Sequence, residues 1–277
     1  MAAFPPSHPF EVRCGGVRLS GEEAGDGTPV LLLHGLTATR RYVVHGSRAL
    51  QAAGCRVAAY DARGHGESDP APSPADYTYA LLAGDALCVM DDRGMDRAVL
   101  VGSSMGAATA TAVALAHPER VSALVLVTPA HLGLPSEGLD RWDALAEGLR
   151  SGGPEGFLAA YGRPRVPERQ VESVTTVIRQ RLSRHRRPDA VADALRHVPR
   201  SAAFDGVEAL EDLAMPVLVV ASRDALDPDH PLAVAEEYER RIPDVRVVVE
   251  DEGAPPLAWR GGTLSHVILE FLAARVA

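Results

Sequence analysis

The 277-residue sequence contains no lysine; all 28 basic residues are arginine, which reflects a GC-rich genome rather than a mechanism. No apolar run is long enough to span a membrane. The opening residues, Met1-Ala2-Ala3-Phe4-Pro5-Pro6, have neither a charged start nor an apolar core, so they do not read as a secretory signal. A net charge of −9 argues against a nucleic-acid partner. Cysteine is scarce: Cys14, Cys55 and Cys88 are widely separated and odd in number. That pattern suits reduced thiols in a cytoplasm better than a disulfide framework. The histidines are scattered, with no spacing that joins them to cysteine or carboxylates as metal ligands. No glycine-rich dinucleotide fingerprint follows the first strand, and no metal, nucleotide or other cofactor is expected. Internal repeats and low-complexity stretches are absent from the sequence.

What remains is a globular composition, 46% hydrophobic and 23% charged, on a chain long enough to bury a substantial core. Short alternating stretches at 10–14 and 17–20 flank Gly15-Gly16 and predict an opening hairpin. Continuous apolar runs at 29–33, 56–60, 98–103 and 121–127 have the character of strands buried on both faces. Between them, 42–53, 76–92 and 104–117 have helical spacing. Strands that alternate with helices imply crossover connections and a largely parallel sheet. From 131 to 205 the strands stop, and helices are expected around 139–150, 154–161, 168–185 and 188–197. The arginines of this block (Arg179, Arg186, Arg187 and Arg200) read as a solvated face. Strand and helix then alternate again, at 216–221, 231–241, 245–249 and 263–275.

The stretch with the most chemical content is Val99-Leu100-Val101-Gly102-Ser103-Ser104-Met105-Gly106. An apolar strand runs into G-x-S-x-G and then a helix rich in small residues, the context in which a serine sits at a tight, strained strand-to-helix turn. A side chain at Gly102 or Gly106 would clash where strand and helix approach. The helix N-terminus offers free N–H groups and a positive dipole end to a developing oxyanion.

With these pieces in place, the chain resembles the α/β-hydrolase superfamily over essentially its whole length. The resemblance rests on His34-Gly35, on Asp61-x-Arg63-Gly64-His65-Gly66-x-Ser68-Asp69, on the turn at Ser104, on the helical insertion and on Ser222-Arg223-Asp224. It implies an α/β fold, a mostly parallel twisted sheet flanked by helices, with residues 1–130 and 206–277 as core domain. Residues 131–205 would be an all-helical cap. It implies Ser104 as nucleophile, Asp224 as the triad acid, and the N–H groups of Leu36 and Met105 as the oxyanion hole. Asp227 and Asp229 compete with Asp224 for the acid role. Asp61, His34 and His65 would shape loops rather than carry protons.

The resemblance breaks at the base. The family's histidine follows the last strand, in a loop that here reads Glu250-Asp251-Glu252-Gly253-Ala254-Pro255-Pro256, and its expected position is Ala254. Alanine cannot accept a proton. Either Ala254 replaces a histidine and impairs the enzyme, or the protein works without this base, or another histidine serves. After Asp224 only His230 and His266 remain; His230 reads as a helix start and His266 as a surface or packing residue, so this third reading ranks last.

The expected activity is that of a serine hydrolase on a small ester, thioester or lactone, with an apolar acyl compound as substrate. Serine rather than aspartate at position 104 argues against the alkyl-enzyme chemistry of epoxide hydrolases and dehalogenases. The alternatives are a C–C hydrolase, an acyltransferase, a haloperoxidase, a non-hydrolytic binding protein, or a lyase or cyclase in a biosynthetic pathway. Trp142, Phe157, Tyr161, Leu257 and Trp259 are candidates to line an apolar pocket under the cap, beside an equal expectation of plain packing. No membrane partner is expected, and the sequence leaves a homodimer open.

Overall fold

The computed structural model describes residues 5–223, 227 and 229–275. One 8-stranded sheet runs through it in the order β1-β2-β4-β3-β5-β6-β7-β8. The hairpin β1 (Ser7–Cys14) and β2 (Val17–Ala24) is antiparallel, and β2 pairs antiparallel with β4 (Cys55–Tyr60). From there β3 (Thr28–Leu33), β5 (Ala98–Ser103), β6 (Val121–Val127), β7 (Val217–Ala221) and β8 (Val245–Val249) are parallel.

The continuous apolar runs become intelligible once each strand is buried on both faces. Leu31, Leu100, Leu124 and Val219 point to one face; there they meet α2 (Tyr79–Asp92), α3 (Met105–Ala116) and α7 (Leu232–Arg241). Their neighbours Leu32, Val101, Val125 and Val220 point to the other, against α1 (Ala49–Ala52) and α8 (Gly261–Arg275). Helix α3 is buried nearly all round, which its run of Ala, Gly and Thr allows by letting backbones approach closely. Thr78 caps α2, its side chain accepting from the Leu81 N–H.

Two sequence expectations need correction, and a third holds. The helical spacing at 42–53 yields only a short 3-10 turn, Arg40–Tyr42, and the single turn of α1. His45 and Gly46 both take positive φ (47° and 73°), which stops a helix, while Val43, Val44 and Leu50 still reach the core and so mimic helical periodicity. The helices expected around 139–150 and 154–161 are both present within α4 (Leu139–Tyr161), divided at Gly153, whose φ of 59° and ψ of −147° are not helical. Cys14 on β1 and Cys88 on α2 form a disulfide across 74 residues, with Cα atoms 6.0 Å apart. Only Cys55 is a free thiol, and it is buried, so the cysteines are not the three reduced thiols expected of a cytoplasmic chain.

Between β6 and β7 lie α4, α5 (Glu168–Leu182) and α6 (Pro188–His197). They share an apolar cluster of their own, including Leu145, Leu149, Phe157, Ile178, Leu182 and Leu195, with Leu36 of the loop after β3 at its edge. Among the described residues no helix is long and apolar enough to cross a membrane.

Candidate active site

The carboxyl ends of β3, β5 and β7 converge, as expected for a site in a parallel sheet. Strand β5 stops at Ser103 and α3 starts at Met105, so Ser104 stands alone in the turn, with φ of 51° and ψ of −112°. That is a costly conformation for a residue with a Cβ, and the surroundings hold it there. The Ser104 N–H donates to the Val127 carbonyl at 3.0 Å, and its own carbonyl accepts from Ala107 and Ala108 at 2.9 and 3.1 Å. A Cβ on Gly102 would come within 2.1 Å of the Gly106 carbonyl oxygen, and one on Gly106 within 2.1 Å of the Leu33 carbonyl oxygen. The loop after β3 lies against this turn: a Cβ on Gly35 would be 3.4 Å from the Ser104 Cβ. Leu36 and Met105 thus flank the serine, and Met105 sits in the first helical turn, where N–H groups have no intrahelical acceptor.

The serine has a histidine partner. His230, just before α7, places Nε2 3.0 Å from Ser104 Oγ and Nδ1 2.9 Å from Asp227 Oδ1. With Nδ1–H donating to the carboxylate, Nε2 is free to accept from the serine hydroxyl. The His230 and Asp227 side chains are 22% and 11% exposed, so the chain Ser104–His230–Asp227 is shielded but reachable. A histidine thus lies within hydrogen-bond distance of Ser104, and it is His230, which the sequence ranks last. Ala254 lies where the sequence put it, in the turn after β8, its N–H donating to the Asp251 carbonyl at 3.0 Å. Asp224 falls outside the described residues; Asp227, its competitor in the sequence, is the carboxylate that holds His230. His266 bonds within α8, Nδ1 to the Gly262 carbonyl, away from this chemistry.

The other carboxylates near Ser104 have structural partners. Asp61 is buried; it accepts from the Arg40 N–H at 2.8 Å and the Glu67 N–H at 3.0 Å, and pairs with the Arg40 guanidinium. Asp229 accepts from Tyr161 Oη and Arg141, both at 2.7 Å. Burial alone would raise its carboxyl, but those two bonds and the charge of Arg141 hold it below its ordinary value. His34 and His65 serve the loops, as expected. The Ala62 N–H donates to His34 Nε2 at 2.9 Å, and His65 Nδ1 bonds the Arg63 carbonyl at 2.9 Å.

The candidate pocket residues do not gather into one apolar cavity. Phe157 is buried inside the α4–α6 cluster, with Trp142 at its margin donating from Nε1 to Ser136 Oγ at 3.2 Å. Leu257 packs on the opposite face of the sheet with Val43, Val44 and Leu264, and Trp259 is 39% exposed. Tyr161 borders an open cleft, with Arg141, Arg163, Arg165 and Asp229. Helical side-chain direction accounts for the difference: Phe157 faces the neighbouring helices rather than the serine. Among the described residues no cluster of His, Cys, Asp and Glu could hold a metal ion.

A family model described as the alpha/beta hydrolase fold matches residues 28–260. The chain belongs to the alpha/beta hydrolase family. Among curated relatives, this alpha/beta hydrolase is 37% identical over 110 residues to epoxide hydrolase 2 of Siraitia grosvenorii, covering 40% of the chain and 35% of that protein. It spans no more than half the length of the epoxide hydrolases that it matches. Among solved structures, a thermophilic esterase from Thermogutta terrifontis superposes with a TM-score of 0.78 at 26% identity, over 96% of this chain and 98% of that one. The enol-lactonase from Burkholderia xenovorans LB400 does so with a TM-score of 0.78 at 25% identity, over 95% and 100%.

Proposed function

We propose that this alpha/beta hydrolase is a serine hydrolase of small carboxylic esters, thioesters or lactones. Ser104 acts as nucleophile, His230 as general base and Asp227 as the group that orients it. The observation that carries the reading is the 3.0 Å approach of His230 Nε2 to Ser104 Oγ, backed by the 2.9 Å bond from Nδ1 to Asp227. As Ser104 Oγ attacks the carbonyl, its proton passes to His230 Nε2, and Asp227 stabilises the imidazolium. The oxyanion settles between the N–H groups of Leu36 and Met105. His230 then gives the proton to the leaving alkoxide or thiolate. Water, deprotonated by the same nitrogen, releases the acid. A serine at 104 forms an acyl ester rather than the alkyl ester that epoxide opening on a carboxylate requires, so the likeness to epoxide hydrolases is one of scaffold. In the same reading, residues 131–205 form a cap domain over a core of 1–130 and 206–277, and the solvent-facing Tyr161 edge marks the way in.

The test is a panel of short-chain esters with a fluorophosphonate probe. Wild-type protein should label at Ser104 and turn over esters. His230→Gln should lower kcat by on the order of 10⁴- to 10⁶-fold, the scale of removing the base from a serine triad. A His230→Gln variant that stays within a few-fold of wild type would overturn the reading.

A further inference from the structure

Glu250 stands immediately after β8, the last strand of the sheet, and is 3% exposed. The β7–β8 register runs through Ala221 and Val249, so Glu250 meets the chain where it leaves β7 for the loop that carries Asp227 and His230. Its Oε1 accepts from the Arg223 N–H at 2.8 Å, and its carbonyl accepts from Arg223 Nε at 3.3 Å. The Arg223 carbonyl in turn accepts from the Asp227 N–H at 3.2 Å, and the Asp227 carbonyl from the His230 N–H at 3.2 Å. An unbroken series of bonds thus runs from Glu250 through Arg223 and Asp227 to the imidazole that lies 3.0 Å from Ser104 Oγ.

Stability gives little reason for a carboxylate at this place. Among the described residues Glu250 Oε2 has no hydrogen-bond partner, and neither has the buried hydroxyl of Ser222 beside it in the strand register. Buried Asp61, by contrast, has partners for both its oxygens. A buried carboxylate left half satisfied costs more free energy than an apolar side chain of similar volume. What Glu250 supplies, and an apolar residue cannot, is a fixed acceptor for the Arg223 N–H at the near end of the loop. The far end is tied separately, through Asp229 to Tyr161 and Arg141 of α4. Asp227 and His230 lie between these anchors, and a displacement of about 1 Å in such a pair costs on the order of 100-fold in rate.

We propose that Glu250 is a positioning residue: by accepting from the Arg223 N–H it fixes the loop that sets Asp227 and His230 against Ser104. This rests on the serine-hydrolase reading for its effect on rate, though not for its effect on His230. Glu250→Leu should lower kcat on a short-chain ester by roughly 10- to 100-fold with little change in KM, the scale of a small misplacement. Glu250→Gln, whose amide oxygen can still accept from Arg223, should stay within a few-fold of wild type. In an Asp227→Asn background Glu250→Leu should cost little more, because a residue that acts through Asp227 then has nothing left to position. Proton NMR at low temperature reads the same geometry without turnover. The proton between His230 Nδ1 and Asp227 gives a far-downfield resonance, assigned by its loss in His230→Gln. It should persist in Glu250→Gln and vanish in Glu250→Leu. Should Glu250→Leu fail to fold, Glu250→Asp, which keeps the charge and shortens the reach, is read in its place. An intact resonance or wild-type kcat in the folded variant would overturn the proposal. So would a loss in Glu250→Gln equal to that in Glu250→Leu, or a fully additive loss in the Asp227→Asn background. Absent turnover in wild type, with a resonance that depends on Glu250, would overturn only the hydrolase reading; a wild-type protein without the resonance would overturn both.

Discussion

The histidine beside Ser104 stands at position 230, 3.0 Å from its Oγ, rather than at position 254, where the resemblance expects one. The G-x-S-x-G signal is local, because Gly102 and Gly106 are demanded by contacts a few residues away, and so it is legible in the sequence. His230 is separated from Ser104 by 126 residues, and only the path of the loop after β7 brings them together. No spacing rule encodes that, although the short Asp227–His230 interval, now bridged at 2.9 Å, is a signal that a search for a second acid–histidine pair could use. A residue-level prediction separates the two positions. Ala254→His, in otherwise wild-type protein, should leave ester hydrolysis within a few-fold, because the serine already has its acceptor. A gain of several orders of magnitude would show that position 254 is the true seat of the base.

At the level of elements, strands were the most legible part of the chain, since burial on both faces leaves an unbroken apolar run that little else produces. The segment 42–53 failed because Val43, Val44 and Leu50 reach the core from a turn, and periodicity records burial rather than hydrogen bonding. The Cys14–Cys88 bond was invisible because it depends on α2 lying along β1. The β5–α3 junction is where backbone approach, rather than side-chain packing, sets the limits. Gly106→Ala should therefore be severely destabilising, by about 3 kcal/mol or more, because the new Cβ meets the Leu33 carbonyl and a backbone atom of the central sheet cannot yield. Gly84, within α2, has open space around its would-be Cβ. Gly84→Ala should stabilise by up to about 1 kcal/mol through helix propensity. Urea melts of the two variants check the contrast, and similar effects from both would contradict the close-approach account of the elbow.

Across the whole molecule, three buried histidines join the loops of the core to the helices between β6 and β7. His34 follows β3, His65 follows β4 and His185 links α5 to α6; the His65 ring meets that of His34 at a tilt and that of His185 edge-on, with centroids 5.1 and 5.6 Å apart. The Gly66 N–H donates to His185 Nδ1 at 2.9 Å, and His185 Nε2 bonds the Thr37 carbonyl at 3.1 Å. Each accepting nitrogen must stay unprotonated for these bonds to exist. Burial, aided by the charge of His65, pushes His34 and His185 down to about 3 from an ordinary 6.5. Between those values the unfolded chain binds protons that the folded chain does not, so stability is full above about pH 6.5 and declines as pH falls toward 3. The loss at pH 5 should be on the order of 2 kcal/mol per histidine. Because His185 ties the α5–α6 link to the core loops, acid should loosen that link before it melts the sheet. Urea unfolding from pH 8 to pH 5 should show a plateau and then a steep decline. Hydrogen exchange at pH 5.5 should open residues 168–197 ahead of β3, β5 and β6. A flat stability profile, or uniform opening of helices and sheet, would mean that the histidine cluster does not hold the two parts together.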